Sequence, residues 1–136
     1  MAGYSGKPLF AKLGLVPPME LLVVGAPPDY PVWLGDVPAG VSLATTPPDP
    51  LQAVHAFVVE RAALESLLPE LRRQLRQDGF VWVSWPKKAS KVPTDITEDV
   101  IRDVALPLGF VDVKVCAVSE VWSGLKLVIR KQERTA

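Results

Sequence analysis

The stretch Phe80-Val-Trp-Val-Ser-Trp-Pro-Lys-Lys-Ala-Ser-Lys91 changes abruptly from apolar to basic at Pro86. Residues 80–85 are almost continuously apolar, as in a strand that is covered on both faces of a sheet. We therefore predict that they form a central strand. In an open α/β sheet, ligands bind in the crevice outside the carboxyl ends of the strands. The basic residues that follow this strand lie where such a site is expected.

Two helical patterns flank the predicted central strand. Residues 60–77 carry leucines with the spacing of one helical face. These are Leu64, Leu67, Leu68, Leu71 and Leu75. Pro69 predicts a kink or two abutting helices, because it removes an internal hydrogen bond, and Asp78-Gly79 is predicted to end the helix. The second helix follows Asp95-Ile-Thr-Glu98, which resembles a capping box, with Thr97 as a rival cap.

Short apolar segments elsewhere in the chain predict the remaining strands. They cover residues 20–25, 41–45, 51–59, 111–118 and 125–131. Only residues 119–124 separate the last two, too few for a parallel crossover, so we predict an antiparallel hairpin. Ser5 is predicted to cap a short helix before the first strand. The order predicts a three-layer, Rossmann-like α/β fold, a single domain over residues 1–136, whose mostly parallel sheet is closed by a C-terminal antiparallel hairpin.

Composition limits the classes of function. The 136 residues are 49% hydrophobic and 22% charged, which is typical of a globular protein. Fifteen basic and fifteen acidic side chains cancel to a net charge of zero, so a general affinity for nucleic acid or an anionic membrane is not expected. No apolar run is long enough to span a bilayer, and the first residues show no secretory pattern. We expect a cytoplasmic protein.

The chain offers little material for catalysis or metal binding. Cys116 and His55 are the single cysteine and the single histidine. His55 has no nearby carboxylate in sequence, and Cys116 lies between apolar neighbours, where a structural thiol is expected. The serines lack a nucleophile-elbow pattern. We predict no catalytic residue, no metal and no cofactor.

The best candidate site is an anion site in the loop after the central strand. Its predicted residues are Lys87, Lys88, Ser90, Lys91, Thr94 and Thr97. The loop leads to the amino end of a predicted helix, where free N–H groups and the helix dipole favour a phosphate or a carboxylate. The alternative is a solvated connector whose lysines keep an apolar strand soluble. Asp95 and Glu98 would partly offset the lysines.

Tryptophans are the candidates for the wall of a pocket beside these lysines. Trp82 and Trp85 are three residues apart on a strand, so they should point to opposite faces of the sheet. We expect Trp82 in the core and Trp85 near the crevice. Trp122, between the last two strands, is the second candidate wall residue, although it equally suits the role of a cover over the core.

The order of elements resembles the class I methyltransferase fold, in which the final strand inserts antiparallel into an otherwise parallel sheet. That resemblance implies a glycine-rich turn after the first strand and an acidic residue at the end of the second. This chain instead has Gly25-Ala-Pro-Pro-Asp29, where prolines remove amide donors, and Thr45-Thr-Pro-Pro48. The implied binding of S-adenosylmethionine is therefore not expected, although the fold is.

Several short runs also resemble a small bacterial family of single-domain proteins whose function is not established. They begin at Tyr4 (Tyr-Ser-Gly-Lys-Pro-Leu), Trp85 (Trp-Pro-Lys-Lys), Asp95 (Asp-Ile-Thr-Glu-Asp), Asp112 (Asp-Val-Lys-Val-Cys-Ala) and Trp122 (Trp-Ser-Gly-Leu-Lys-Leu). The runs at Trp85 and Trp122 are the more specific ones. This resemblance implies a single domain of about this length and no particular activity.

These observations predict a non-catalytic, methyltransferase-like domain that binds a small anionic ligand or a protein partner. One alternative is a divergent S-adenosylmethionine-dependent methyltransferase, since fold alone does not decide activity. Another alternative is a structural or oligomerisation module. Such a module would form a homo-oligomer, in which the proline-rich residues 27–50 make the contacts.

Overall fold

The computed structural model describes residues 7–134, so Ser5, the predicted cap of the first helix, lies outside the described residues. The strands are β1 (Met19–Val24), β2 (Val41–Ala44), β3 (Leu51–Phe57), β4 (Leu75–Pro86), β5 (Phe110–Ala117) and β6 (Trp122–Ile129). The helices are α1 (Leu9–Leu13), α2 (Tyr30–Leu34), α3 (Arg61–Gln74) and α4 (Glu98–Ala105). Together the strands form one six-stranded sheet in the order β2-β1-β3-β4-β6-β5.

The sheet is mostly parallel and ends in an antiparallel hairpin. β1 pairs in parallel with β2 and with β3, and β3 pairs in parallel with β4. β6 lies antiparallel between β4 and β5. This arrangement confirms the predicted Rossmann-like fold, including the inserted final strand that the resemblance to methyltransferases implied.

Helices cover both faces of the sheet, so the molecule has three layers. On one face α3 and α4 bury Leu64, Leu68 and Ile101 against the sheet. On the other face α1 and α2 bury Leu13 and Leu34. Apolar burial of this kind is the main source of stability for helices too short to be stable alone. No helix in the described range is long and apolar enough to cross a membrane.

The boundary between α3 and β4 differs from the prediction. The helix ends at Gln74 rather than at Gln77, and β4 begins at Leu75, which pairs with Leu51 of β3. The pairing then shifts register before Phe80. Gly79 allows this irregular approach, because a Cβ there would lie 2.6 Å from the carbonyl oxygen of Gln52. Leu75 fits the helical spacing of leucines but is buried as part of the strand.

Pro69 lies inside α3, which is one continuous helix and not two abutting helices. Proline cannot donate a hydrogen bond to the carbonyl four residues earlier, which weakens the middle of the helix. The helix is buried on both sides of this position, at Leu64 and Leu68 before it and at Leu71 after it. Their burial against the sheet offsets the missing hydrogen bond, an effect that the local pattern alone does not reveal.

The connections in the first half are short. α2 is a single short helix after β1, and residues 45–50, which separate β2 from β3, form no helix. At the other end of the chain, the hairpin is tighter than predicted, because Trp122, Ser123 and Gly124 belong to β6 and not to the turn. Gly124 pairs with Ser84 of β4 and leaves room for the ring of Trp82.

Candidate functional site

A groove of about 370 Å³ lies at the carboxyl end of β4, beside the start of α4. Its lining residues are Pro86, Lys88, Lys91, Val92, Pro93, Thr94, Ile96 and Thr97. Pro86 and Ile96 are buried and supply apolar surface, whereas Lys88 and Lys91 are exposed. The groove therefore combines an apolar base with positive charge at its rim, a composition that suits a small molecule with an anionic group.

Four of the six residues predicted for the anion site line this groove: Lys88, Lys91, Thr94 and Thr97. Lys87 and Ser90 do not. The backbone N–H of Lys87 donates to the carbonyl of Val121, 2.7 Å away, and so ties the loop to the hairpin. The Ser90 hydroxyl donates to the Lys87 carbonyl at 2.6 Å and accepts from the N–H of Val92 at 3.2 Å. Both residues shape the loop that carries the lysines.

Lys91 has a left-handed backbone conformation, with φ of 62°. That conformation costs a residue with a Cβ about 1 kcal/mol or more, and glycine avoids this cost. Here a lysine holds the position and lines the groove. Residues in strained backbone conformations cluster at binding and active sites, which makes Lys91 a candidate binding residue.

The amino end of α4 is capped by Thr97 and not by a capping box at Asp95. The Thr97 hydroxyl accepts a hydrogen bond from the N–H of Val100 at 3.2 Å. Asp95 instead accepts from the backbone N–H of Arg61 at 2.7 Å, which joins the loop to the start of α3. Glu98 forms an ion pair with Arg102 at 3.0 Å, so its charge is partly balanced within α4.

Neither predicted wall tryptophan lines the groove. Trp85 is only 7% exposed and packs into the core beneath α3 and α4, where the strand has not yet reached the crevice. Trp82 is fully buried in the core on the opposite face, as the alternation along the strand predicts. Trp122 is half-buried on that same face and contacts the ring of Phe57 edge-on, with ring centroids 5.1 Å apart. Both candidate wall residues thus contribute to packing.

Sequence reasoning missed a buried polar chain formed by Tyr30, His55 and Ser84. The Tyr30 hydroxyl lies 2.6 Å from Nδ1 of His55, and Oγ of Ser84 lies 2.7 Å from Nε2. His55 and Ser84 are inaccessible to solvent. The three residues come from α2, β3 and β4, and only the strand register brings them together. A histidine inside an apolar strand was the one available signal, since such a group requires partners.

Burial controls the proton equilibria in this chain of residues. It lowers the pKa of His55 from 6.5 to about 3, so the imidazole is neutral at physiological pH. Burial also raises the pKa of the Tyr30 hydroxyl. A neutral imidazole donates at one nitrogen and accepts at the other, which satisfies all three groups. These three buried residues therefore link α2, β3 and β4 through side-chain hydrogen bonds.

Cys116 is the single cysteine of the sequence. Cys116 is half-buried, and burial raises the pKa of its thiol, which disfavours the reactive thiolate. Within residues 7–134 no three histidine, cysteine, aspartate or glutamate side chains are grouped so that they could hold a metal ion.

Comparison with known proteins gives matches in structure alone. No protein-family model matches the chain, and no curated protein matches it in sequence. A SAM-dependent methyltransferase from Aquifex aeolicus is similar in structure, with a TM-score of 0.65 and 13% identity, over 90% of this chain and 88% of that one.

Two other solved structures show the same likeness. One is a putative type 11 methyltransferase from Sulfolobus solfataricus, with a TM-score of 0.52 and 16% identity, over 86% of this chain and 88% of that one. The other is a protein of the NADB-Rossmann superfamily from Streptococcus agalactiae, with a TM-score of 0.54 and 12% identity, over 98% of this chain and 73% of that one. The chain therefore has the Rossmann-like α/β fold that these three structures share.

Proposed function

We propose that this protein is a methyltransferase-fold domain that does not transfer methyl groups and that binds a small anionic molecule in the groove beside β4. The observation that carries the proposal is the pair Lys88 and Lys91 on the rim of an apolar groove, with Lys91 in a strained backbone conformation. Two ammonium groups beside buried apolar surface favour a ligand that has an anionic end and an apolar body.

The turn after β1 supports the absence of methyl transfer. Pro27 and Pro28 have no backbone N–H, so this turn offers fewer donors than a glycine-rich turn in the same place. Tyr30, two residues after Pro28, is buried against His55 and Phe57 on the sheet. The face of the sheet next to the turn is thus occupied by the chain's own aromatic side chains.

Thermal unfolding in the presence of candidate ligands tests the proposal. Inorganic phosphate, phosphorylated metabolites, nucleotides and S-adenosyl compounds would be screened against the purified protein. A ligand at 100 times its dissociation constant adds about 2.7 kcal/mol to the free energy of unfolding. We expect at least one phosphate-bearing compound to raise the melting temperature.

Two lysine variants locate the binding. The double variant Lys88→Ala/Lys91→Ala should weaken binding of that compound about tenfold or more, because it removes both charges from the rim. Lys87→Ala is the matched control, since Lys87 is adjacent but lies outside the groove lining. Equal losses in the control and the double variant, or no shift with any anion, would contradict the proposal.

A divergent methyltransferase is the second candidate. It is supported by the structural similarity to the Aquifex aeolicus methyltransferase, which covers 90% of this chain. Calorimetric titration with S-adenosylmethionine and S-adenosylhomocysteine separates the two candidates. Saturable binding that survives the Lys88→Ala/Lys91→Ala change would replace the first proposal with the second.

A further inference from the structure

A second, shallower depression adjoins the groove. It has a volume of about 260 Å³ and is lined by Val59, Glu60, Pro93, Thr94 and Asp95. Pro93 and Thr94 line both depressions, so the two share a wall at the carboxyl ends of β3 and β4. The groove carries lysines and this depression carries carboxylates. The combined surface is therefore divided by charge.

Hydrogen bonds hold the shared wall in place. The Thr94 hydroxyl donates to the carbonyl of Val59 at 2.7 Å and accepts from the N–H of Ile96 at 3.1 Å. Asp95 is anchored through Oδ1, which accepts from the N–H of Arg61. The separation between the basic and the acidic halves is thus built into the backbone of the loop and the start of α3.

Within residues 7–134 neither Glu60 nor Asp95 forms an ion pair. The Glu60 side chain forms no hydrogen bond or ion pair there, and only Oδ1 of Asp95 is engaged. The guanidinium of Arg61, the next residue along the chain, pairs with Glu65 at 3.0 Å and with Asp103 at 3.8 Å. Both carboxylates of the depression therefore keep their charge available to a bound cation.

We infer that the ligand of the groove carries a cationic group as well as its anionic group, with the anion at Lys88 and Lys91 and the cation at Glu60 and Asp95. This inference rests on the proposed function. A ligand with negative charge at both ends would place one end against two carboxylates, which repel it. A ligand with an ammonium at that end satisfies both halves of the surface.

Matched phosphate esters test this inference. The probes are n-alkyl phosphates of two to six carbons and the corresponding ω-aminoalkyl phosphates, which differ only in a terminal ammonium. Binding to the full chain is followed by calorimetry. We expect the aminoalkyl compound to bind at least fivefold more tightly than its alkyl partner at one or more chain lengths, because only that compound reaches both halves.

Variants assign the preference to the acidic half. Glu60→Gln should abolish most of the preference for the ammonium and leave alkyl phosphate binding unchanged. Glu120→Gln is the matched control, an exposed glutamate in the turn of the hairpin, and it should change neither. Asp95→Asn added to Glu60→Gln should remove the remaining preference, while the Asn oxygen still accepts from Arg61.

The outcomes separate this inference from the proposed function. Equal affinity for both series in the wild type, or a preference that survives the Glu60→Gln/Asp95→Asn change, overturns the inference and leaves the anion site standing. If no phosphate ester of either series binds, the proposed function fails and the inference fails with it. Two results together support both the proposed function and the inference. Lys88→Ala/Lys91→Ala should lose binding of both series of esters, and Glu60→Gln should lose the preference for the aminoalkyl series.

Discussion

His55 should make the stability of the protein depend on pH. Its pKa is about 3 in the folded state, because burial disfavours the charged form, and about 6.5 when the chain is unfolded. Between these values the unfolded state binds a proton that the folded state does not, so stability falls as pH falls. We expect a loss of about 2 kcal/mol between pH 7 and pH 5, measured by urea unfolding.

The variant His55→Gln isolates this contribution. Whatever its overall stability, it has no imidazole to protonate, and the wild type has only this one histidine. Its free energy of unfolding should change little between pH 7 and pH 5. An equally steep pH dependence in His55→Gln would show that other groups, and not His55, cause the loss.

Ser84→Ala tests whether the buried polar chain stabilises the fold. The change removes the hydroxyl that lies 2.7 Å from Nε2 of His55 and leaves that nitrogen buried without a partner. We expect a loss of about 1–3 kcal/mol in urea unfolding. Ser42→Ala, at an exposed position of β2, serves as the control and should stay within about 0.5 kcal/mol of the wild type. Equal stabilities of the two variants would contradict the assignment.

At the scale of elements, Pro69 weakens α3 and can be replaced by alanine. Pro69→Ala restores a backbone N–H inside the helix, and alanine is the better helix former by up to about 3 kcal/mol. Part of this gain is offset, because proline also restricts the unfolded chain. We expect a net stabilisation of about 1–2 kcal/mol, measured by urea unfolding.

Ser66→Ala is the matched control for this change, since Ser66 is exposed on the same helix. It should stabilise the protein by no more than about 0.5 kcal/mol, the difference in helix propensity between serine and alanine. A destabilised Pro69→Ala variant would mean that packing around the proline ring outweighs the restored hydrogen bond.

The start of α4 gives a second prediction at this scale. Thr97→Ala removes the hydroxyl that accepts from Val100, and loss of such a cap costs about 1 kcal/mol. Thr46→Ala, in an exposed loop, should be nearly neutral in the same thermal and urea measurements. If Thr97→Ala is also neutral, another group satisfies the first turn of α4.

For the whole molecule, the strand order predicts a gradient of protection. β4 and β3 have hydrogen-bonded neighbours on both sides, whereas β2 and β5 are the edges of the sheet. Backbone amides of β4 should exchange with solvent only when the whole protein unfolds, and those of β2 should exchange first. Hydrogen exchange followed by mass spectrometry measures this directly, and comparable rates in β2 and β4 would contradict it.

Most of this architecture is predictable because the strands alternate with turns at proline and glycine. Residues 80–85 form part of the central strand β4, and the short final connection forces the hairpin. The errors occur where distant contacts override local pattern. Leu75 has helical spacing but pairs with Leu51, and Trp122 to Gly124 extend β6 because β4 and β5 flank them.

The groove was predictable only in part. A basic loop after a central strand indicates its position, and four of the six suggested residues line it. The separation of Lys87 from the groove depends on a hydrogen bond to Val121, which is 34 positions away in the chain. Trp85 does not line the groove, because β4 continues to Pro86 and the Trp85 side chain stays in the core beneath α3 and α4. Contacts of this range leave no local signal.

The place of β6 in the sheet also sets an order in time. Synthesis delivers β5 before β6, yet β5 pairs with β6 and not with β4. While the chain leaves the ribosome, β4 therefore has one open edge, and β5 has no neighbour until β6 follows it. This side of the sheet can therefore be completed only after β6 has been synthesised, because β6 pairs with both β4 and β5. Residues of β6 also pack into the cores on both faces, so these cores stay incomplete until then.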